Sequence, residues 1–414
     1  MSDPGLAAAR IPAGARDMLP VEAAELGAIA DRLRAHVALA GYREVSPPVL
    51  ELAEVIDRGQ PGASADAYRL FDDAGRVLVL RPDITIPVAR LVATRMADHP
   101  GPVRVSYRAS AFRPPRPGSP RPGELRQAGI ELVGAGHPGA DAEVLSLLVG
   151  ALRAAGVPEP RVSLADVSLT RAAMDGAAVD EETRAALGEA LAARDLVGWR
   201  RRARAAVPEG PAADLLAELP ALRGGEEVLD RVRAAIPSAG PACDQLAATL
   251  ATARRHGVGD ELRIDLGVLR DWSYYSGIVF EAYGPGAAEP LGAGGRYDAL
   301  GARFGTDRPA IGFAVSLDQV HRAVLAGADA ADALRDGVVL VGGLDTHAAL
   351  AARARADGIT VVALAAGEDG RADALADADG WRFVARPGRD GAVEVLDRAR
   401  GERRACRDLA EAVR

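Results

Sequence analysis

The stretch FRPPRPGSPRPGELRQAGIELVG, Phe112 to Gly134, joins two textures. Its first half is packed with Arg and Pro, and its second half alternates as a strand does. That alternation puts Ile130 and Leu132 on one face and Gln127 and Glu131 on the other. A carboxylate set among Ile130, Leu132 and Val133 needs partners if it is buried, and a polar ligand could supply one. An exposed sheet face is the competing reading. In the first half, Pro114, Pro115, Pro117, Pro120 and Pro122 restrict a loop that carries Arg113, Arg116 and Arg121. Guanidinium forks with little freedom suit a phosphate or a carboxylate. The same composition also fits a solvated loop or a proline-rich docking segment.

Working outward, VRVSYRASAFR precedes the loop and makes a long hairpin pattern with LRQAGIELVG. Further upstream, apolar residues from Val21 to Leu39 recur every three or four positions and predict an amphipathic helix ending at Gly41. YREVSPPVLE reads as strand, YRLFDDAGRVLVLRPD as a hairpin turning at Asp72–Gly75, and ITIPVARLVATRMA as a helix after Pro82. From about residue 170 to 255, Ala, Leu, Arg and Glu at helical spacing predict a helical insertion. Strand patterns resume in ELRIDLGVLRDWSYYSGIVFEAYG, and AIGFAVSLDQVHRAVLAG reads as strand then helix. The organisation expected is a core domain over 1–325, a linker over 326–336 and a small α/β domain over 337–414.

Composition bounds the function. At 414 residues with 49% hydrophobic and 26% charged residues, the chain reads as folded domains and not as a disordered polymer. Every basic residue apart from histidine is arginine, which reflects coding bias first. A net charge of −8 gives no support to a broad nucleic-acid-binding surface. Cys243 and Cys406 stand far apart and outside any CxxC spacing, so neither a disulfide framework nor a zinc site is expected. No run has the length of a signal-peptide core or a membrane span, and the cytoplasm is the expected compartment.

Other residues carry local signals. In LRPDITIP, Asp83 and Thr85 follow a strand and open a helix, so each also reads as an N-cap. In RDWSYYSGIVFE, Arg270 precedes Tyr274 and Tyr275, aromatics able to frame a small planar ligand or simply to fill a core. GAGGRYD reads as a tight bend whose backbone amides could approach an anion. The six histidines have no metal-ligand spacing.

In this order, AGARDMLP, GYREVSPPVLE, LRPDIT, FRPPRPGSPR, QAGIELVG, RDWSYYSGIVFE, AGGRYD and IGFAVSLDQV resemble the histidyl-tRNA synthetase family of class II synthetases. The resemblance runs from Pro12 to the C-terminus. It implies an α+β fold: a mixed, largely antiparallel sheet flanked by helices, with a C-terminal α/β domain of anticodon-binding type. It also implies dimerisation through the segment containing Pro48. Carried over by position, it implies a histidine pocket in which Asp83 meets the ammonium, one methylene shorter than the family's glutamate. Thr85 and Gln127 are neighbouring contacts, Glu131 and Tyr275 address the imidazole, Arg270 lies near the carboxylate, and Arg113 and Tyr274 belong to the same histidine-binding set.

The nucleotide half departs from that family. Pro115 stands where a glutamate contacts adenine, and a proline ring has no polar side-chain atom. SLDQV puts Gln319 where an arginine clamps the ATP phosphates, and Asp271, Trp272 and Ser273 interrupt the histidine-specific segment. Fixed cations at a developing phosphate charge are commonly a large part of such catalysis, and losing one costs about 10²-fold or more. In the tail, Asp369, Asp373, Asp377 and Asp379 against Arg371 disfavour tRNA binding. A histidine pocket kept without these parts resembles the regulatory subunits of ATP phosphoribosyltransferase, a paralogous family. That resemblance implies a non-catalytic subunit without cofactor, with histidine as allosteric ligand. It further implies assembly with the short-form catalytic subunit, as a self-dimer within a hetero-octamer. A divergent active histidyl-tRNA synthetase is the alternative.

Overall fold

In the computed structural model, which describes residues 11–115, 122–268, 274–327 and 335–413 apart from positions 343, 366 and 389–391, the chain divides into two units. The larger holds the segment up to Asp17 and Leu26–Ala326; the smaller holds Gly327–Arg414 together with Met18–Glu25.

Helix α1, Pro20–Ala38, buries Leu26, Ile29, Ala30, Leu33 and Val37, the face that its spacing predicts. The pattern YREVSPPVLE, which reads as one strand, is split into β1 (Arg43–Glu44) and β2 (Leu50–Leu52). The break falls at Pro47 and Pro48, which offer no N–H to a ladder. Buried Arg81 fills the gap, donating to the carbonyls of Pro47 (2.7 Å), Pro48 (3.1 Å) and Ser110 (2.8 Å). Helix α2 (Ala53–Gly59) follows β2, and β3 (Arg69–Phe71) and β4 (Val77–Leu80) form the expected hairpin. Its turn is held by Asp72, whose Oδ1 accepts from the N–H groups of Ala74 (3.0 Å) and Arg76 (2.8 Å). Strands β2, β4 and β3 make a small sheet that leaves Leu50, Leu70, Phe71 and Val77 exposed.

The main sheet has nine strands in the order β1-β5-β6-β12-β11-β10-β7-β9-β8. Its strands beyond β1 are β5 (Val103–Phe112), β6 (Glu124–Val133), β7 (Arg161–Asp166), β8 (Arg223–Gly224), β9 (Leu262–Asp265), β10 (Ile278–Tyr283), β11 (Gly292–Arg296) and β12 (Ala310–Ser316). All neighbours are antiparallel except β1 with β5 and β7 with β9, the mixed, largely antiparallel sheet expected. Helix α3 (Thr85–Arg95) follows β4, and α4 (Pro138–Ala155) follows β6. Helices α1 and α4 meet the face that carries Ile130, Phe313 and Val315. The crossing is close: a Cβ on Gly150 would stand 2.4 Å from His36 Nε2.

Six helices fill the insertion: α5 (Val167–Gly176), α6 (Glu181–Ala192), α7 (Leu196–Ala206), α8 (Pro211–Glu218), α9 (Glu227–Ala235) and α10 (Gly240–Arg255). Aspartates start three of them, with carboxylates accepting from backbone N–H groups: Asp166 from Ser168 (2.7 Å), Asp180 from Thr183 (2.7 Å) and Asp195 from Gly198 (2.8 Å). Trp199 anchors the interior, its indole N–H donating to the Leu216 carbonyl at 2.7 Å. The short helix α11 (Ala299–Ala302) and then α12 (Leu317–Gly327) complete this unit.

One expectation is corrected. GAGGRYD is not a bend: Gly292–Arg296 is strand β11, paired on both sides in the middle of the sheet. Its glycines serve by absence of bulk, since a Cβ on Gly294 would lie 2.7 Å from the Phe280 ring.

The smaller unit pairs β13 (Arg335–Leu340) in parallel with β14 (Val361–Ala363) and β15 (Trp381–Pro387), then adds β16 (Val393–Asp397) and β17 (Glu402–Cys406) antiparallel. Helices α13 (Leu344–Ala356), α14 (Ala372–Asp379) and α15 (Leu409–Val413) complete it. Two of the aspartates that make this segment acidic are already spent. Asp373 pairs with Arg386 at 2.7 Å, and Asp377 pairs with Arg398. The free acidity here is therefore smaller than the sequence implies. Among the described residues, no helix is long and apolar enough to cross a membrane.

Arg81→Ala removes the donor shared by three carbonyls at the proline break. The variant is expected to lose about 2–4 kcal/mol of stability, read as a lower urea midpoint.

Candidate functional site

The site begins with strand alternation. On one face of the central sheet β6 presents Gln127, Gly129 and Glu131, and register places Ser316, Ala314 and Gly312 of β12 opposite them. Gly312 in turn sits beside Gly295 of β11. Glu131 is 2% exposed, and its carboxylate lies over Gly312: a Cβ there would stand 1.7 Å from Oε2. A Cβ on Gly129 would stand 2.4 Å from the Tyr107 hydroxyl, and one on Gly295 would stand 2.8 Å from the Tyr275 ring. Glycines on three adjacent strands therefore hollow a pit in the sheet face, and the Glu131 carboxylate, the Tyr107 hydroxyl and the Tyr275 ring fill it.

Tyrosines wall the pit. Tyr297 donates its hydroxyl to Glu131 Oε2, and Thr85 adds a second hydrogen bond to that carboxylate. Tyr274 stands edge-on to Tyr275, with centroids 5.0 Å apart and planes at 86°, and lies 5.5 Å from Tyr297. Burial pushes Glu131 up to about 8; the hydrogen bonds from Tyr297 and Thr85 work against that push, and the charge of Asp83 adds to it. Asp83 does both things its sequence context suggests. Its Oδ1 accepts from Ile86 N–H at 2.8 Å at the start of α3, and the side chain stays beside the pit. Burial raises its carboxyl above the ordinary range, while the Ile86 N–H and the Arg113 charge pull it down. Arg113 is fixed nearby by Nε donating to the Pro82 carbonyl at 2.9 Å.

Of the residues singled out in sequence, Asp83, Thr85, Arg113, Glu131, Tyr274 and Tyr275 come together here, and Gln127 shares their sheet face. Arg270 lies outside the described residues, as do Arg116 and Arg121 of the loop. Sequence reasoning missed Tyr107, Tyr297 and the three glycines. Tyr107 had a signal, since it shares its strand face with buried Val103 and Val105. The glycines had none beyond their own presence, because what each one clears is a side chain distant in sequence.

The mouth of the site is built differently. Gly123 N–H donates to the Gly14 carbonyl at 2.7 Å, and Arg113 N–H donates to the Gly123 carbonyl at 2.8 Å. An N-terminal segment is thereby tied to the base of the Arg/Pro loop. Pro115 packs on it, 3.0 Å from where a Gly14 Cβ would be. Asp318, at the start of α12, pairs with Arg16 at 2.6 Å and faces Arg126 at 3.7 Å. Gln319 beside it is uncharged, and its backbone N–H points to Ser316 Oγ at 3.4 Å. Arg16 is thus held by Asp318, and Arg126 donates to Glu124 at 2.8 Å.

Known proteins resemble this chain to different depths. A family model described as histidyl-tRNA synthetase matches residues 14–320. The ATP phosphoribosyltransferase regulatory subunit of Moorella thermoacetica is 40% identical over 349 residues, 84% of this chain and 89% of that one. Its counterpart from Symbiobacterium thermophilum is also 40% identical, over 85% of this chain and 90% of its own length. Among solved structures, an ATP phosphoribosyltransferase regulatory subunit/histidyl-tRNA synthetase from Bacillus halodurans superposes with a TM-score of 0.78 at 28% identity, covering 91% of this chain and 97% of that one. The histidyl-tRNA synthetase of a Nostoc species shares the fold, with a TM-score of 0.80 at 20% identity and 98% of each chain covered.

The raised Glu131 carboxyl makes stability depend on pH. It binds a proton in the folded chain up to about 8, whereas the ordinary value is 4.5. Its contribution is therefore fully present below the lower value and is lost as pH rises through the upper one. Glu131→Gln lacks this loss. Its stability relative to the parent is expected to rise by up to about 1.4 kcal/mol per pH unit across that window, measured by urea unfolding at several pH values.

Proposed function

Because this chain belongs to the histidyl-tRNA synthetase family and, within it, to the ATP phosphoribosyltransferase regulatory subunits, we propose that it regulates that enzyme and catalyses no reaction of its own. In this reading it joins the short-form catalytic subunit for the first step of histidine biosynthesis, is required for full activity there, and reports histidine by feedback inhibition. The observation that carries the reading is the contrast between the two halves of the site. A buried carboxylate in a tyrosine-walled pit stands ready for an imidazole N–H, while Pro115, Asp318 and Gln319 leave the adjoining half without the adenine contact and phosphate clamp of a working synthetase.

The chemistry follows from the residues. Glu131, when ionised, accepts the ring N–H of histidine; Asp83 faces its ammonium; Arg113 and Arg270 are the cations for its carboxylate; Thr85, Gln127, Tyr274 and Tyr275 complete the contacts. Binding costs Glu131 its proton or shares it with the ligand, so the tyrosine and threonine hydroxyls that stabilise the carboxylate matter most in the bound state. Feedback is then a coupling free energy between this pit and the catalytic subunit's site. It is reciprocal: whatever histidine does to substrate affinity, substrate does to histidine affinity. Self-association is part of the same reading, as a dimer within a hetero-octamer in the cytoplasm. The exposed Leu50, Leu70, Phe71 and Val77 beside Pro48 support a contact surface there.

The test has two arms. The purified chain alone should show no histidine-dependent ATP–pyrophosphate exchange; exchange at synthetase-like rates would mean that Gln319 is tolerated and the chain is a divergent active synthetase. With the short catalytic subunit added, activity should rise and histidine should suppress it. Glu131→Gln should weaken histidine binding by about 10- to 100-fold, the loss of a charge-assisted hydrogen bond, while assembly persists. Unchanged inhibition by histidine in that variant would show that the pit is not the histidine site.

A further inference from the structure

Behind the pit, on the opposite face of β11, lies a buried ionic group that the histidine contacts do not include. Arg296 is 3% exposed and Asp141, in the first turn of α4, is fully buried. Arg296 donates from Nε to Asp141 Oδ1 at 2.9 Å, and its Nη2 meets the same oxygen. Its Nη1 donates to the Ala135 carbonyl at 3.2 Å and to Asp298 Oδ1 at 3.0 Å. Burial pushes the Asp141 carboxyl up to about 6 against the pull of Arg296, with Asp166 and Asp298 adding to the push.

What gives this group a role is the residues on either side of it. Arg296 sits between Gly295, which lies under the Tyr275 ring, and Tyr297, which donates to Glu131. It also belongs to a closed ring of hydrogen bonds with the segment that follows Tyr274 and Tyr275. The Ser276 N–H donates to the Arg296 carbonyl at 2.8 Å; the Asp298 N–H donates to Ser276 Oγ at 2.9 Å; and Arg296 Nη1 donates to Asp298. Gly277 presses on the arginine stem, where a Cβ would come within 3.0 Å of Cδ. Asp298 Oδ1 also accepts from Ala310 N–H at 2.9 Å, which ties in the start of β12, the strand that supplies Gly312.

We infer that Arg296, anchored by Asp141, is a positioning residue for the histidine pit: through Ser276 and Asp298 it sets where Tyr275 and Tyr297 stand. This rests on the reading that the pit takes histidine. The anchor is strong because a guanidinium has five fixed donors, and here they join one helix, one strand and two loops. It is also costly to break, since removing one partner leaves the other charge buried without compensation.

The experiment uses the full chain and two readouts: histidine affinity by calorimetry, and the near-ultraviolet circular dichroism of the packed tyrosines. Asp141→Asn removes the charge and keeps the shape. Ser276→Ala cuts only the ring's hydroxyl link, and decides the matter if the first variant does not fold. Leu229→Ala, which removes a fully buried aliphatic side chain from α9 in the insertion, is the control for general loss of stability. The expected result is a loss of histidine affinity of about tenfold or more in Asp141→Asn and about fivefold in Ser276→Ala, with a weakened tyrosine band in both and neither change in the control. Unchanged affinity and an unchanged band in the folded variants would overturn the inference, as would an equal effect in Leu229→Ala. If the parent chain binds no histidine, the functional reading fails, and the tyrosine band still decides whether Arg296 positions these rings.

Discussion

The site depends on one constraint: a carboxylate placed on the inner face of a central strand, where water cannot solvate it. Glu131 is tolerable there because Gly312 leaves room for its oxygens and because Tyr297 and Thr85 hydrogen-bond to it. Every neighbouring choice follows from that placement. Glycines recur on β6, β12 and β11 where the floor must be open, and tyrosines recur where walls must be apolar in body and polar at the tip. A buried acid held above its ordinary range is one whose charged form an N–H donor or a positive charge would stabilise.

The contacts around the base of the Arg/Pro loop follow the opposite logic. Here two arginines are paired internally, Arg16 with Asp318 and Arg126 with Glu124. Pro115 is packed under the N-terminal segment and offers no polar atom. The two regions differ in what their charges face: Glu131 is buried beneath Tyr297, whereas Arg16 and Arg126 are held by carboxylates.

Sequence reasoning went far where structure is local. The hairpins, the helix after Pro82, the run of insertion helices and the βα rhythm at the end were legible from periodicity and turn residues. It failed where local composition has two uses. GAGGRYD looks like a turn because glycine permits turns, yet β11 uses the same glycines to clear space for rings on other elements. Asp373 and Asp377 pair with Arg386 and Arg398, partners that the aspartate pattern does not display.

By itself, the sequence determined which residues share a strand face, which segments are helical, and that Glu131 would sit opposite Ile130 with Gln127 at its side, because alternation and helical period are properties of neighbouring residues. The tertiary structure alone decided what Glu131 faces. Gly312 and Tyr297 reach it from β12 and the end of β11, and Arg296 reaches Asp141 across 155 residues, through a strand order that no local pattern encodes. The physical reason is that burial and pairing are set by register between strands distant in sequence, and register is fixed only when the whole sheet closes its hydrogen bonds.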